Sequence, residues 1–211
     1  RWPQHYGIKK GLLADWWQTM LLSIEGETHL RLRKLASPAF SPKNIEKMVP
    51  FFSNLANELI DNFQSKGSCE FMTEFAEPFS ARVIAYFLSI QDSMWPKIAD
   101  LATKLGYVFS VTIKEDLPVI EEGLAGLLEI SRELIDRNRH GSKNDFLNTL
   151  LSAKVDGKKI TDDELLSLVS LFVFAGFDTT RNQIGLGIQT FANYPDQWTL
   201  LGKNPNLGRD R

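Results

Sequence analysis

From Leu165 to Phe177 nearly every position is apolar, and the polar residues of the surrounding stretch gather at its two ends. The run lies within Thr161–Asn193, a segment free of proline until Pro195. As one helix it spans roughly 48 Å at about 1.5 Å per residue. Thr161 and Glu164 carry the capping-box pattern, and Asp162 and Asp163 suit the positive end of the helix dipole. A helix that is apolar on every face belongs in the middle of a fold. Other segments repeat the helical period. Residues 29–36 form a helix that stops before Pro38. Ser41-Pro42 opens a longer one with apolar positions at Ile45, Met48, Val49, Phe52, Leu55, Ala56, Leu59, Ile60 and Phe63, closed by Gly67. Residues 80–90, 94–113 and 118–139 follow, the last two joined by a charged connector, Thr112–Pro118. His140–Asn144 reads as a loop, Asp145–Lys154 as a short helix, Asp156-Gly157 as a turn and the stretch from Leu201 as a closing loop. Residues 1–25 look irregular. Alternating runs are scarce, so the expected fold is mostly α, built on the Thr161–Asn193 helix.

Composition narrows the class. With 43% hydrophobic and 24% charged residues and a formal net charge of -2, the chain reads as a globular protein with no bias toward nucleic acid or an anionic membrane. The longest apolar run is too short to span a bilayer and contains Ser167 and Ser170. A single cysteine, Cys69, excludes an internal disulfide and suits a reducing, cytoplasmic setting. The chain opens on R-W-P-Q-H-Y-G, which is no signal peptide, and lacks an initiator methionine. Together with the ending Arg209-Asp210-Arg211, this suggests a fragment.

Two places carry candidate chemistry. Ala175-Gly176-Phe177-Asp178-Thr179-Thr180 puts small residues, an acid and two hydroxyls in mid-helix. Gly176 costs roughly 1 kcal/mol there relative to alanine, and it admits a flat ligand at close range. A carboxylate beside a hydroxyl is a proton-delivery pair. An ordinary buried helix, with threonines bonding back to carbonyls, accounts for the same letters. His29 and Arg33, four apart, share one helix face and make an anion site, or equally a solvated face.

Taken in order, H-x-x-x-R at His29–Arg33, Phe40-Ser41-Pro42 and A-G-F-D-T-T at 175–180 resemble the N-terminal half of the cytochrome P-450 family of haem-thiolate monooxygenases, soluble bacterial type. The continuations Arg181-Asn182-Gln183-Ile184-Gly185 and Tyr194-Pro195-Asp196-Gln197-Trp198 are similar to it too. The resemblance implies that 1–211 is a partial domain of that family. His29 and Arg33 would hold the propionates of haem b, and Ala175 and Gly176 would line the oxygen pocket. Asp178 and Thr179 would organise water and protons around dioxygen. Leu171, Phe174 and Ala175, placed by helical spacing on the same broad face as Thr179, would touch a lipophilic substrate. Residues 1–25 would be a substrate-facing loop, or equally a truncated terminus, and the 94–139 helix pair a lid, or equally a surface helical hairpin. Arg31 and Lys34 would belong to a basic face that meets a redox partner.

The family's axial cysteine is expected beyond residue 211, because Cys69 fails its pattern: Ser65 and Phe71 stand where the family's cysteine loop has glycines. Glu129-Ile-Ser-Arg132 spells that family's E-x-x-R but lies upstream of the central helix, so it reads as an exposed pair. The implied activity is insertion of one oxygen atom from O2 into a lipophilic small molecule. Electrons would come from NAD(P)H through a ferredoxin or flavoprotein. The 211-residue piece would itself be inactive for want of the thiolate ligand. The competing class is a non-enzymatic all-helical ligand-binding or regulatory protein. That class leaves His29, Arg33 and the Asp178-Thr179 pair unexplained and would want a basic recognition helix, which the sequence lacks.

Overall fold

Helix α10 (Asp162–Asn193) is one unbroken helix, and the rest of the chain is arranged to cover its N-terminal half. A computed structural model describes residues 2–140 and 145–208. Before α10 come α1 (Trp2–His5), α2 (Leu12–Thr19), α3 (Gly26–Ala36), α4 (Pro42–Glu46), α5 (Val49–Gln64), α6 (Glu77–Phe87), α7 (Trp95–Gly106), α8 (Leu117–Arg139) and α9 (Asp145–Ser152). After it comes α11 (Pro195–Lys203). Among the described residues there is no strand, only an isolated bridge between Val155 and Lys158. That bridge closes the expected D-G turn, with Asp156 and Gly157 at φ 53 and 77. The mostly α expectation is correct. No helix among the described residues is long and apolar enough to cross a membrane.

The start of α10 is fixed by a complete capping box. The Thr161 hydroxyl accepts from the Glu164 amide at 3.3 Å, and the Thr161 amide donates to Glu164 Oε2 at 2.9 Å. The next turns disappear into the core: Leu165, Leu168, Val169, Leu171, Val173, Phe174 and Phe177 are all buried. They pack against α6, α7 and α8. The two serines in the run are buried as well, and α2 explains them. Trp16 Nε1–H donates to Ser170 Oγ at 2.9 Å, and Thr19 Oγ1 lies 3.2 Å from Ser167 Oγ. A buried hydroxyl needs such a partner, because an unpaired one costs about 1–3 kcal/mol.

Helices α7 and α8 approach each other more closely than side chains normally allow. A Cβ added at Gly123 would stand 2.6 Å from the Leu101 carbonyl oxygen and 2.8 Å from the Leu105 amide nitrogen. Both are backbone atoms, so neither can step aside. The glycine is therefore what lets this pair close.

Three expectations fail. Residues 1–25 are not irregular throughout. They contain α1 and α2, and Leu13, Trp16, Trp17 and Met20 of α2 and its cap are core residues. The single helix from Pro42 to Phe63 is two, because Pro50 lacks the amide needed to continue α4 and instead opens α5. Of its nine apolar positions only Met48, Leu55 and Leu59 are buried, while Ile45, Val49 and Ile60 are exposed. The closing loop is instead the end of α11 followed by a 3-10 turn, Pro205–Gly208. The loop expected at His140–Asn144 lies, past His140, outside the described residues.

The close approach fixes the sign of a substitution. In an open helix, glycine to alanine stabilises by about 1 kcal/mol. Gly187→Ala, with no atom within 4 Å of the new Cβ, is expected to do so. Gly123→Ala is expected to destabilise by about 1–3 kcal/mol through overpacking. Urea unfolding of both variants checks this, and equal signs would show that α7 and α8 can slide apart freely.

Candidate active site

Past Phe177 the surroundings of α10 open on one side. Ala175, Thr179, Gln183 and Leu186 follow each other at helical spacing along that side. Ala175 is half-buried and the other three are exposed. Thr179 spends its proton locally: Oγ1 donates to the Ala175 carbonyl at 2.6 Å. The hydroxyl oxygen keeps its lone pairs for an incoming donor. Gly176 has a packing reason. A Cβ there would stand 2.8 Å from Ile84 Cδ1, so the glycine seats α10 against α6.

Asp178 faces away from the open side, toward α7. Its Oδ1 accepts from Arg181 at 2.9 Å and its Oδ2 from Asn182 Nδ2 at 3.3 Å. Arg181 is the hub of this corner. It also donates to Thr103 Oγ1 on α7 at 3.2 Å, stands 3.7 Å from Glu77 at the start of α6, and lies over the Phe177 ring at 5.0 Å. One guanidinium thus joins three helices and keeps a partly buried carboxylate partnered. Sequence reasoning saw Arg181 only as part of a resemblance. Its one local signal is the i, i+3 spacing from Asp178.

Leu171 and Phe174 do not join Thr179 on the open side. Both are buried, and Phe174 stacks on Phe109 with centroids 6.2 Å apart. Of the three residues expected to face substrate, only Ala175 stays partly accessible.

The anion-binding pair sits on α3. The His29 ring donates through Nδ1 to the Leu21 carbonyl at 3.0 Å, which leaves Nε2 as its remaining polar atom. Arg33 is exposed, and no described residue pairs with its guanidinium. An exposed guanidinium with no acid beside it among the described residues, on the same helix face as the His29 ring, fits a group that carries carboxylates. Arg31 does not contribute to an exposed basic face. It forms an ion pair with Glu164, the capping-box acid of α10. That pair ties α3 to the start of α10, and it gives Glu164 a second task. Cys69 is a free, half-buried thiol in the segment after α5. Glu129 and Arg132 are both exposed on α8. Among the described residues no cluster of His, Cys, Asp and Glu could hold a metal ion.

A family model described as Cytochrome P-450 matches residues 80–199. Among curated proteins, the cytochrome P-450 CYP107DY1 of Priestia megaterium is 29% identical over 197 residues, which are 92% of this chain and 48% of that protein. Luteothin monooxygenase of Streptomyces thioluteus is 29% identical over 202 residues, 95% of this chain and 49% of that protein. Among solved structures, P450BioI in complex with an acyl carrier protein ligated to hexadec-9Z-enoic acid superposes with a TM-score of 0.83 at 27% identity. That match covers 92% of this chain and 50% of the other. The chain spans about half the length of the curated relatives it matches.

The Glu164 contacts set a pH dependence. Burial pushes its carboxyl upward, but the Thr161 amide and the Arg31 guanidinium together pull it below the ordinary value of 4.5. A carboxyl lowered by folding adds stability above its unfolded pKa and loses it as pH falls through the folded value. Glu164→Gln is therefore expected to flatten the fall in melting temperature on the acid side of pH 4.5. Parallel acid limbs for the two proteins would show that the cap and ion pair contribute nothing.

Proposed function

The chain belongs to the cytochrome P-450 family, and on that premise we propose that the protein it forms part of is a haem-dependent monooxygenase acting on a lipophilic small molecule. The observation that carries this reading is the contrast at Asp178-Thr179. A hydroxyl stands on the open side of an otherwise buried helix, and the adjacent carboxylate is held just off that side by a guanidinium. Haem b, when bound, supplies the oxygen-activation chemistry, and the protein supplies orientation and protons. His29 and Arg33 are the residues that would hold its propionates. The axial thiolate would come from a part of the protein outside this chain, and without it this stretch alone would be inactive.

The roles of the remaining residues follow from their contacts. Thr179 donates to its own helix, so its oxygen accepts a proton donor from the open side and holds a water there. Asp178 relays protons by exchanging its contact with Arg181 or Asn182 for water. Ala175 leaves the open side low and apolar next to Thr179, while the Gly176 Cα direction is filled by Ile84 of α6. Leu171 and Phe174 back that surface from inside. A lipophilic substrate agrees with this apolar lining and with the fatty acyl group in the P450BioI complex. Electrons reach such a site from NAD(P)H through a ferredoxin or flavoprotein, for which exposed Lys34 offers a docking charge.

Two variants of the full-length protein test this. Thr179→Ala is expected to keep haem and substrate binding while product per NAD(P)H consumed falls and hydrogen peroxide rises. An unchanged ratio would reduce Thr179 to a hydroxyl bonded to its own helix. Arg33→Ala is expected to lower haem content on purification. Full occupancy would remove the propionate assignment and leave Arg33 as a solvated cation.

A further inference from the structure

Away from the open side of α10, a cavity of about 540 Å³ lies among α4, the C-terminal end of α6, the last turns of α8, and α9. It shares no residue with His29, Arg33 or the stripe through Thr179. Its size falls within the usual range for small-molecule pockets. Met48, Phe87, Ile90 and Phe146 supply an apolar lining. The Phe87 and Phe146 rings are 4.7 Å apart and belong to a cluster that also holds Phe40 and Phe172.

The charges at the rim have one sign. Among the described residues Lys47 and Arg137 are the charged residues that line the cavity, and no acid does. Neither cation has an ion-pair partner among the described residues. Each has an ordinary local reason to exist. Lys47 caps the end of α4 and Arg137 lies in the last turn of α8, where cations suit the helix dipole. What that does not explain is their convergence, from two helices far apart in sequence, on one aromatic-floored cavity. Some other surface cations are paired, Arg82 with Glu58 and Asp92, Lys104 with Asp100 and Glu122, Arg139 with Asp162, whereas Arg33 on α3 is unpaired among the described residues but stands on no aromatic-floored cavity.

We propose that this cavity binds an amphipathic anion, a free fatty-acid carboxylate with its chain on the Phe87–Phe146 floor and its head between Lys47 and Arg137. The apolar floor supplies the affinity and the two cations choose the sign of the head group. The site is separate from the proposed monooxygenase chemistry and does not depend on it.

The test is calorimetric titration of the full-length protein with dodecanoate, dodecanol and dodecyltrimethylammonium below their micelle concentrations. Dodecanoate is expected to bind tightest and the ammonium weakest. The doubly substituted Lys47→Glu, Arg137→Glu protein is expected to lose dodecanoate affinity by about tenfold or more. Both positions are exposed, and circular dichroism confirms that the variant is folded. A photoreactive fatty acid maps the location: labelling of Tyr86–Gln91 or Phe146 supports the site. Labelling confined to the stripe from Ala175 to Leu186, equal affinity for the alcohol and the acid, or an unmoved affinity in the variant overturns it.

Discussion

Burying the apolar half of α10 on all sides is the constraint that shapes this molecule. A helix with no polar face cannot lie at a surface, so it needs neighbours around its whole circumference. Helices α6, α7 and α8 supply most of that cover, α2 adds a tryptophan N–H that also satisfies Ser170, and Phe40 and Phe146 pack on Phe172. Cover on this scale demands close helix pairs, and glycines at the contacts provide them. Gly123 brings α7 onto α8, and Gly176 brings α10 onto α6. The chemistry-bearing residues begin where the cover ends. Thr179 is accessible because the neighbours of Phe177 do not extend along the side it occupies.

Much of this was legible in the chain. The capping box at Thr161 and Glu164, the apolar run and the D-G turn at Asp156 are local patterns with local causes, and they appear as written. What failed was where local pattern underdetermines the outcome. Leu13, Trp16, Trp17 and Met20 have the helical spacing i, i+3, i+4, i+7, yet two adjacent tryptophans among glycines and charges obscured it. Pro50 splits a periodic run because one missing amide outweighs continued periodicity. Leu171 and Phe174 were misplaced for a different reason. Spacing gives their angle relative to Thr179, but only the packed neighbours decide which part of that arc is open.

The site illustrates the same limit. Adjacent letters announced an acid–hydroxyl pair, and the structure gives the two side chains different surroundings. Asp178 belongs to a polar corner organised by Arg181, with Glu77 and Thr103 contributed from two other helices. No pattern along α10 could have named those partners. Its carboxylate is a member of a network, so its removal disturbs three helices as well as the proposed proton path. A partly buried network of this kind restricts its side chains to few geometries, which the proposed proton transfer would require.

The ion pair between Arg31 and Glu164 has a consequence best expressed as leverage. Thr179 lies about 27 Å along the helix axis from Thr161, at about 1.5 Å per residue. At that radius each degree of tilt about the capped end moves Thr179 by about half an ångström. A displacement of about 1 Å is enough to cost a reacting geometry as much as 10²-fold. Glu164 fixes the first turn of α10 through Thr161 and anchors it to α3 through Arg31, the same helix that carries His29 and Arg33. Both ends of the proposed site are thus tied to a single carboxylate, where the helix begins.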